Sequence, residues 1–304
     1  MMQEKDTTSR VERPDDVAVV QDPAPVSTPS PTNTTQARRE WRRALPKWAL
    51  WLSLAVLGWF ALAAFGPKFG LIDWRTGLGF MIRDAGVILL ACAALLAASA
   101  FLLAFFKTPR GPWWKAALAF AIPAVLFLGL LSMRAQAEAV PPIHDVSTDL
   151  RNPPTFSRET MALRTRLDAN PVNNYGVPLG ELELWAGSED AMLKAKNHAD
   201  LIAENFPDLR PIVLGTTTTE QALDAIVAAM GEIGLQDVRR VPGTDTVEGV
   251  AETFAFGFRD DVVARVADGQ IDLRSVSRVG VSDLGYNAER VEDLREAIED
   301  RLGR

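Results

Sequence analysis

Two short stretches hold residues whose types and spacing could do chemistry. The first lies in residues 141–156, PPIHDVSTDLRNPPTF, and brings His144, Asp145, Ser147, Thr148 and Asp149 close together. An imidazole beside carboxylates can act as a general base or as a metal ligand. However, Pro141-Pro142 and Pro153-Pro154 bracket the stretch and favour an extended chain. In an extended chain His144 and Asp145 point to opposite sides, which argues against a simple pair. The competing reading is structural: Asp, Ser and Thr side chains satisfy loop backbone and fix a strand-like segment to its domain. The second stretch holds Ser277, Arg278, Ser282 and Asp283, with Gly280 and Gly285 indicating a sharply turned loop. Such a loop could bind an anion through Arg278 and helix amides. Alternatively, Arg278 could pair with Asp145 or Asp149 and tie the two stretches together. Of the other polar residues, Asp260-Asp261 reads as a solvated hairpin end and His198 as a surface residue of a helix. No GxSxG, HExxH, phosphate-loop or dinucleotide pattern is present, and no metal or cofactor is expected.

The chain that must position these groups has 304 residues and a net charge of −7. That total hides an asymmetry. Residues 1–134 hold 15 basic and 9 acidic side chains, whereas residues 135–304 hold 17 and 30. So acidic a C-terminal half argues against nucleic acid as a partner, since phosphate contacts need a basic surface. The single cysteine, Cys92, lies in an apolar run, so the C-terminal half has no disulfide and no thiolate metal site.

The first 37 residues are rich in Pro, Ser, Thr, Asp and Gln, and cannot bury enough apolar surface to offset their ordering entropy. Residues 1–44 therefore read as a disordered cytoplasmic tail. Three uncharged apolar runs follow at about 48–65, 85–106 and 116–133. Each approaches the roughly 20 residues that a spanning helix needs, and Trp48, Trp51, Trp113 and Trp114 flank them as interfacial anchors. Ala91, Ala94 and Ala98 would let a neighbouring helix come close, and Pro123 marks a potential kink. No ionisable residue falls in mid-span, so nothing suggests an ion path. Residues 45–134 thus read as a three-helix membrane anchor. Arg38, Arg39, Arg42, Arg43 and Lys47 precede the first span, and Lys107, Arg110 and Lys115 follow the second. Lys68, Arg75 and Arg83 are spread over a longer loop. The basic N-terminal cluster places the N-terminus in the cytoplasm, and three crossings put residues 135–304 outside it, in a bacterial periplasm.

Residues 135–304 carry the signals of an α+β domain: a mostly antiparallel sheet with helices packed on one face. Ser188 is expected to cap a helix carrying Met192, Ala195, Ala199, Ile202 and Phe206. Residues 209–214 read as a strand. Thr217 and Glu220 form a capping-box pattern ahead of a helix that buries Leu223, Ile226, Met230 and Ile233 and stops at Gly234. Phe254, Phe256 and Phe258 alternate as in a half-buried strand. Residues 262–266 and 271–276 flank the hairpin signal Asp268-Gly269, and Asn287 is expected to cap a last helix carrying Val291, Leu294, Ile298 and Leu302.

Four motifs occur in order: IHDVSTDLRNPPTF at 143–156, FPDLRPIVL at 206–214, FRDDVVARV at 258–266 and SRVGVSDLGYNAERV at 277–291. Together they resemble the bacterial family catalogued as domain of unknown function 1499, over roughly residues 140–303. The resemblance implies N-terminal hydrophobic spans, as here, and implies no particular reaction.

Two functional classes fit. One is a membrane-anchored, non-catalytic binding or assembly module of the cell envelope, with the lipid bilayer and an envelope protein or small ligand as partners. The alternative is an envelope hydrolase using His144 with Asp145, Asp149 or Ser282. The topology has a direct test: alkaline phosphatase fused after Arg304 is expected to be active in a bacterial host. A stable, membrane-inserted but inactive fusion would overturn the orientation.

Overall fold

A computed structural model describes residues 31–107 and 112–304. The expected tail as far as residue 30, Arg110, and the side chains of Arg38 and Arg39 lie outside the described residues.

Three helices long and apolar enough to cross a membrane come first. Helix α1 is Pro31–Phe65, so residues 31–44, assigned to the tail from composition, form the front of this helix. Helix α2 is Ala85–Phe106 and continues from a π-helical segment, Thr76–Asp84. Helix α3 is Trp113–Ala139 and runs through Pro123. Ala93, Ala97, Ala100 and Ala104 of α2 are buried, a small-residue stripe one register away from the expected Ala91, Ala94 and Ala98. Ala49 of α1 and Ala116 and Ala119 of α3 pack into the same cluster as Ala97 and Ala100, which permits close approach where lipid provides no hydrophobic drive. Ser53 Oγ donates to Ala119 O at 2.7 Å, satisfying a buried hydroxyl across α1 and α3.

The C-terminal domain is built on a six-stranded antiparallel sheet. Its strands are β1 (Asp145–Ser147), β2 (Ile212–Val213), β3 (Gln236–Arg240), β4 (Thr246–Glu252), β5 (Arg259–Ala267) and β6 (Gln270–Ser277). They run in the order β1-β6-β5-β4-β3, with β2 also pairing β6. The Asp268-Gly269 turn joins β5 to β6 as the sequence signal requires, and Asp268 and Gly269 both have positive φ. The helices of this domain are α4 (Arg158–Arg166), α5 (Glu183–Ala186), α6 (Ala191–Ala195), α7 (His198–Asn205), α8 (Thr219–Glu232) and α9 (Tyr286–Arg301).

The pleat gives the sheet two unlike faces. On one, Val247, Val262, Ala264, Ile271 and Leu273 meet Leu223, Ile226 and Met230 of α8 and Val291, Leu294 and Ile298 of α9 in the main apolar core. On the other, buried Asp261, Asp272 and Arg274 point toward α4 and the chain leading into and out of it. Phe156, Val263 and Val276 form a small apolar cluster on that side.

Several local expectations shift. One long helix over 188–206 is instead two short ones, α6 capped by Asp190 and α7 capped by Asn197 in a capping box with Asp200. The break at Lys196 arises because Asn197 bonds Asp200 N rather than continuing the helical ladder. The capping box of α8 uses Thr218 and Gln221, one residue beyond the expected pair. Asn287 lies inside α9, whose N-cap is Gly285 at φ 87. The Phe254/Phe256/Phe258 stretch is a turn between β4 and β5, not a strand. Its rings pack on the anchor: Phe254 against Phe65 and Phe258 against Trp74.

Residues 136–304 expressed alone are expected to give a single cooperative thermal unfolding transition, because one core unites α8, α9 and the sheet. A fragment folded only in detergent would place part of that core in the membrane region.

Candidate functional site

The two chemistry-bearing stretches meet at the edge of the sheet. Ser277 N donates to His144 O at 2.9 Å, Asp283 N to Ile143 O at 3.2 Å, and Asn287 Nδ2 to His144 O at 2.9 Å. What they build differs from a catalytic pair.

Asp145 is fully buried and is held by four donors. Arg274 forks onto it, Nε to Oδ1 at 2.9 Å and Nη2 to Oδ2 at 2.7 Å. Tyr175 Oη donates to Oδ1 at 2.7 Å and Asn173 N to Oδ2 at 3.0 Å. Burial works to raise the carboxyl's pKa, but the charge and hydrogen bonds of Arg274 outweigh it, and Asp145 is held below its usual range. Burial raises the Tyr175 phenol well above its usual value, so the phenol stays a donor.

His144 and His198 are both fully buried, which corrects the reading of His198 as a surface residue. The His144 ring stacks on Trp185 at 5.4 Å, and His198 stacks on Tyr175 at 5.4 Å. Asn173 Nδ2 lies 3.3 Å from His198 Nε2 and 3.4 Å from His144 Nε2, and Pro171 O lies 3.3 Å from the latter. In its Nε2–H tautomer His144 donates to Pro171 O; in the other it accepts from Asn173. Desolvation lowers both imidazole pKa values, that of His198 to about 4, so both rings are neutral at neutral pH. Nδ1 of His144 faces the Val281 backbone without a hydrogen bond of ordinary geometry.

The remaining residues of the first stretch are structural in their contacts. Ser147 Oγ donates to Leu273 O at 3.0 Å, and Thr148 Oγ1 accepts from Leu273 N at 2.8 Å. Asp149 Oδ1 accepts from Arg151 N and Asn152 N, both at 3.0 Å, and Oδ2 lies 3.3 Å from Arg265 Nη2. Among the described residues no hydrogen bond joins His144 to Asp149 or Ser282.

Arg278 does not bond Asp145 or Asp149. It forks onto Asp261, with Nη2 to Oδ1 at 2.6 Å and Nε to Oδ2 at 3.0 Å. Arg164 Nη1 also donates to Asp261 Oδ2. Asp260 is buried too and pairs with Arg290 at 2.9 Å, so the Asp260-Asp261 pair is an interior feature and not a solvated turn. The reason is register: Asp260 and Asp261 sit opposite Ser277 and Val276 inside the β5–β6 ladder. Ser282 Oγ accepts from Leu284 N. Asp283 caps the entry to α9, accepting from Gly285 N at 2.9 Å and Asn287 N at 2.7 Å, and burial pushes its pKa up to about 6.

An open trench of about 580 Å³ lies on the ionic side of the sheet, between α4 and strands β3, β4 and β5. Its lining includes Phe156, Leu163 and Val250, the carboxylates Glu159, Asp237, Glu248 and Asp261, and the arginines Arg166, Arg239, Arg259 and Arg278. Glu248 is buried and accepts from Thr160 Oγ1 at 2.7 Å and Arg239 Nη2 at 2.9 Å. Of the sequence-selected residues only Arg278 lines this trench; His144, Asp145, Ser147, Asp149, Ser282 and Asp283 do not. Arg274, Tyr175, Asn173, Arg164 and Arg166 were not selected from sequence. The one available signal was Asp272 and Arg274 at i and i+2, alternating with Ile271 and Leu273 in β6, a same-face pair of charges that a buried strand must partner.

Arg274→Ala leaves a buried carboxylate uncompensated and is expected to cost about 3–5 kcal/mol in denaturant unfolding. Arg274→Lys should not restore it, since an ammonium cannot make the fork. Arg278→Ala should cost less, because Arg164 still neutralises Asp261. Equal losses would show that Asp145 is not the more demanding site.

No curated protein and no solved structure gives a match. The family profile described as protein of unknown function (DUF1499) matches residues 145–298, from the first residue of β1 into the last turns of α9. That is just over half of the 304 residues, and the chain belongs to the DUF1499 family.

Proposed function

We propose that this chain is a membrane-tethered binding module of the bacterial cell envelope, with a cytoplasmic N-terminus and a periplasmic C-terminal domain, and that it acts without catalysis. The orientation rests on the basic residues before the first span. The binding reading rests on one observation: the open concave surface and the histidines are in different places. His144 and His198 are sealed in the interior, while the trench presents arginines and carboxylates over an apolar floor. A hydrolase built on His144 would need its base within reach of a substrate proton. Asp145, its intended partner, is committed to Arg274, and Asp149 to Arg265.

The trench favours a partner that presents a negatively charged group. Arg278 and Arg164 share the single carboxylate of Asp261, which leaves a surplus positive charge around Asp261, whereas around Arg239 the balance is reversed because Glu159 and Glu248 share it. Arg166 lines the same trench, is exposed, and its side chain has no ion pair or hydrogen bond among the described residues. An envelope protein offering an acidic segment, or a small anionic ligand, would meet both.

The test is titration of the full chain in lipid nanodiscs with inorganic phosphate and with a short glutamate-rich peptide. Saturable binding of at least one probe is expected, weakened about tenfold or more by Arg166→Glu, a change of ~1.4 kcal/mol. Hydrolysis of a chromogenic ester or phosphoester that disappears in a folded His144→Asn protein would overturn the reading.

A further inference from the structure

The turn between β4 and β5 has features that a simple hairpin connection does not need. Phe254 is the one exposed phenylalanine among the described residues of the C-terminal domain, at 81 % exposure. It stands at the end of a spanning helix: its ring meets Phe65, the last residue of α1, edge to face at 5.3 Å. Phe256 N donates to Ala64 O at 2.6 Å, one residue earlier in the same helix.

Depth follows from helix geometry. At about 1.5 Å per residue, the distance from Trp48 to Ala64 is roughly 24 Å, less than the roughly 30 Å of bilayer hydrocarbon. Trp48 and Trp51 are exposed at the other end of α1, where indoles anchor an interface. With that end at one interface, the turn lies at the boundary of hydrocarbon and headgroups on the opposite side.

Backbone can enter that zone only if its polar groups are satisfied without water. Much of this turn's backbone is so satisfied. Thr253 N donates to Phe258 O at 2.9 Å, Phe258 N to Thr253 Oγ1 at 2.9 Å, and Thr253 Oγ1 to Ala255 O at 2.5 Å. Lys68 Nζ reaches Thr253 O at 3.3 Å and Phe254 O at 3.4 Å, and pairs with Glu252 at 3.2 Å. The conformation is costly at Phe256, whose φ is 65°, and Gly257 follows it at 64°. A Cβ on Gly257 would come within 2.9 Å of Lys68 Cα, so only glycine permits this seating. Beside the turn, Phe69 and Leu71 are 70 % and 69 % exposed in the α1–α2 connection.

We propose that the 253–258 turn is a lipid-inserting wedge: Phe254, with Phe69 and Leu71, seats among the acyl chains at the bilayer surface on the side of the C-terminal domain. The occupant is lipid because the patch is continuous with the lipid-facing surface of α1 and because a lysine at its upper edge holds the charge at headgroup level. The wedge fixes one pose of the domain against the membrane, so the trench, which Arg259 lines just beyond the turn, has a set orientation to the lipid surface.

The test uses the full chain with Cys92→Ala, reconstituted in phosphatidylcholine–phosphatidylglycerol vesicles and carrying a nitroxide at Phe254→Cys. Met192→Cys, at an exposed position of α6, is the aqueous reference, and Val125→Cys, at an exposed position of α3, the lipid reference. Oxygen and a nickel chelate are the relaxing agents in power-saturation resonance. The oxygen-to-nickel accessibility ratio at 254 is expected to be severalfold above that at 192 and to lie between the values at 192 and 125, as befits a site at the edge of the hydrocarbon rather than at its centre. A ratio equal to that at 192 places the wedge in water and overturns the proposal. Exclusion of both reagents assigns the patch to a protein, whether a second copy or another chain, and also overturns it. A nitroxide at Leu71→Cys reads the same wedge from outside the turn and decides the matter if the 254 variant does not fold.

Discussion

A single buried fork, Arg274 on Asp145, holds the edge of this domain in place. Strand β1 is only three residues long, and its pairing with β6 would close few backbone bonds. The ion pair adds side-chain hydrogen bonds between the same two strands. Through Asn173, Tyr175 and Pro154, it also draws the 154–175 segment over the ionic side of the sheet. Two charges in so dry a place demand complete partnering, because an unpaired carboxylate there would lose its hydration with nothing in exchange. The partnering is complete on both sides: Asp145 has its four donors, and Arg274 also donates to Pro154 O and Asn173 O. The aromatic and histidine cluster beside it inherits its neutrality from the same dryness.

The same rule shapes the rest of that side of the sheet. Asp261 opposite Val276, Val263 opposite Arg274, and Arg265 opposite Asp272 alternate charge and apolar contact across β5 and β6. Each charge finds its partner on a neighbouring strand or on the overlying chain. The opposite side needs less of such matching, because most of its residues are apolar and covered by α8 and α9, with Asp260 paired to Arg290 of α9. The domain is therefore held by burial on one side and by geometry-sensitive ion pairs on the other.

This division explains what could be read from the chain. Apolar periodicity marks α8, α9, β5 and β6 because burial against a helix layer writes its period directly into the residues. The membrane helices were equally legible, since lipid selects uncharged runs of fixed length. Arginine partners were not. Arg278 faces several carboxylates of equal chemistry, and only the β5–β6 register decides for Asp261 over Asp145 or Asp149. His198 looked exposed because α6 and α7 read as one helix, and the Asn197 cap that separates them turns His198 inward. The phenylalanine alternation imitated a strand because a turn seated on another element can also require aromatics at every second position.

The pairing of β1 with β6 carries a consequence for biosynthesis. Asp145 and Arg274 are 129 positions apart in the chain, and β1 leaves the ribosome almost directly after the third spanning helix. β1 must therefore wait, tethered to the end of the third long helix, until nearly the whole domain has been made. In this interval its carboxylate is hydrated and its backbone edge is unpaired. The closing step comes late and joins distant parts of the chain, which makes it slow relative to the local helices. An extended, proline-bracketed stretch suits that wait: it cannot coil into a competing helix before its partner strand arrives.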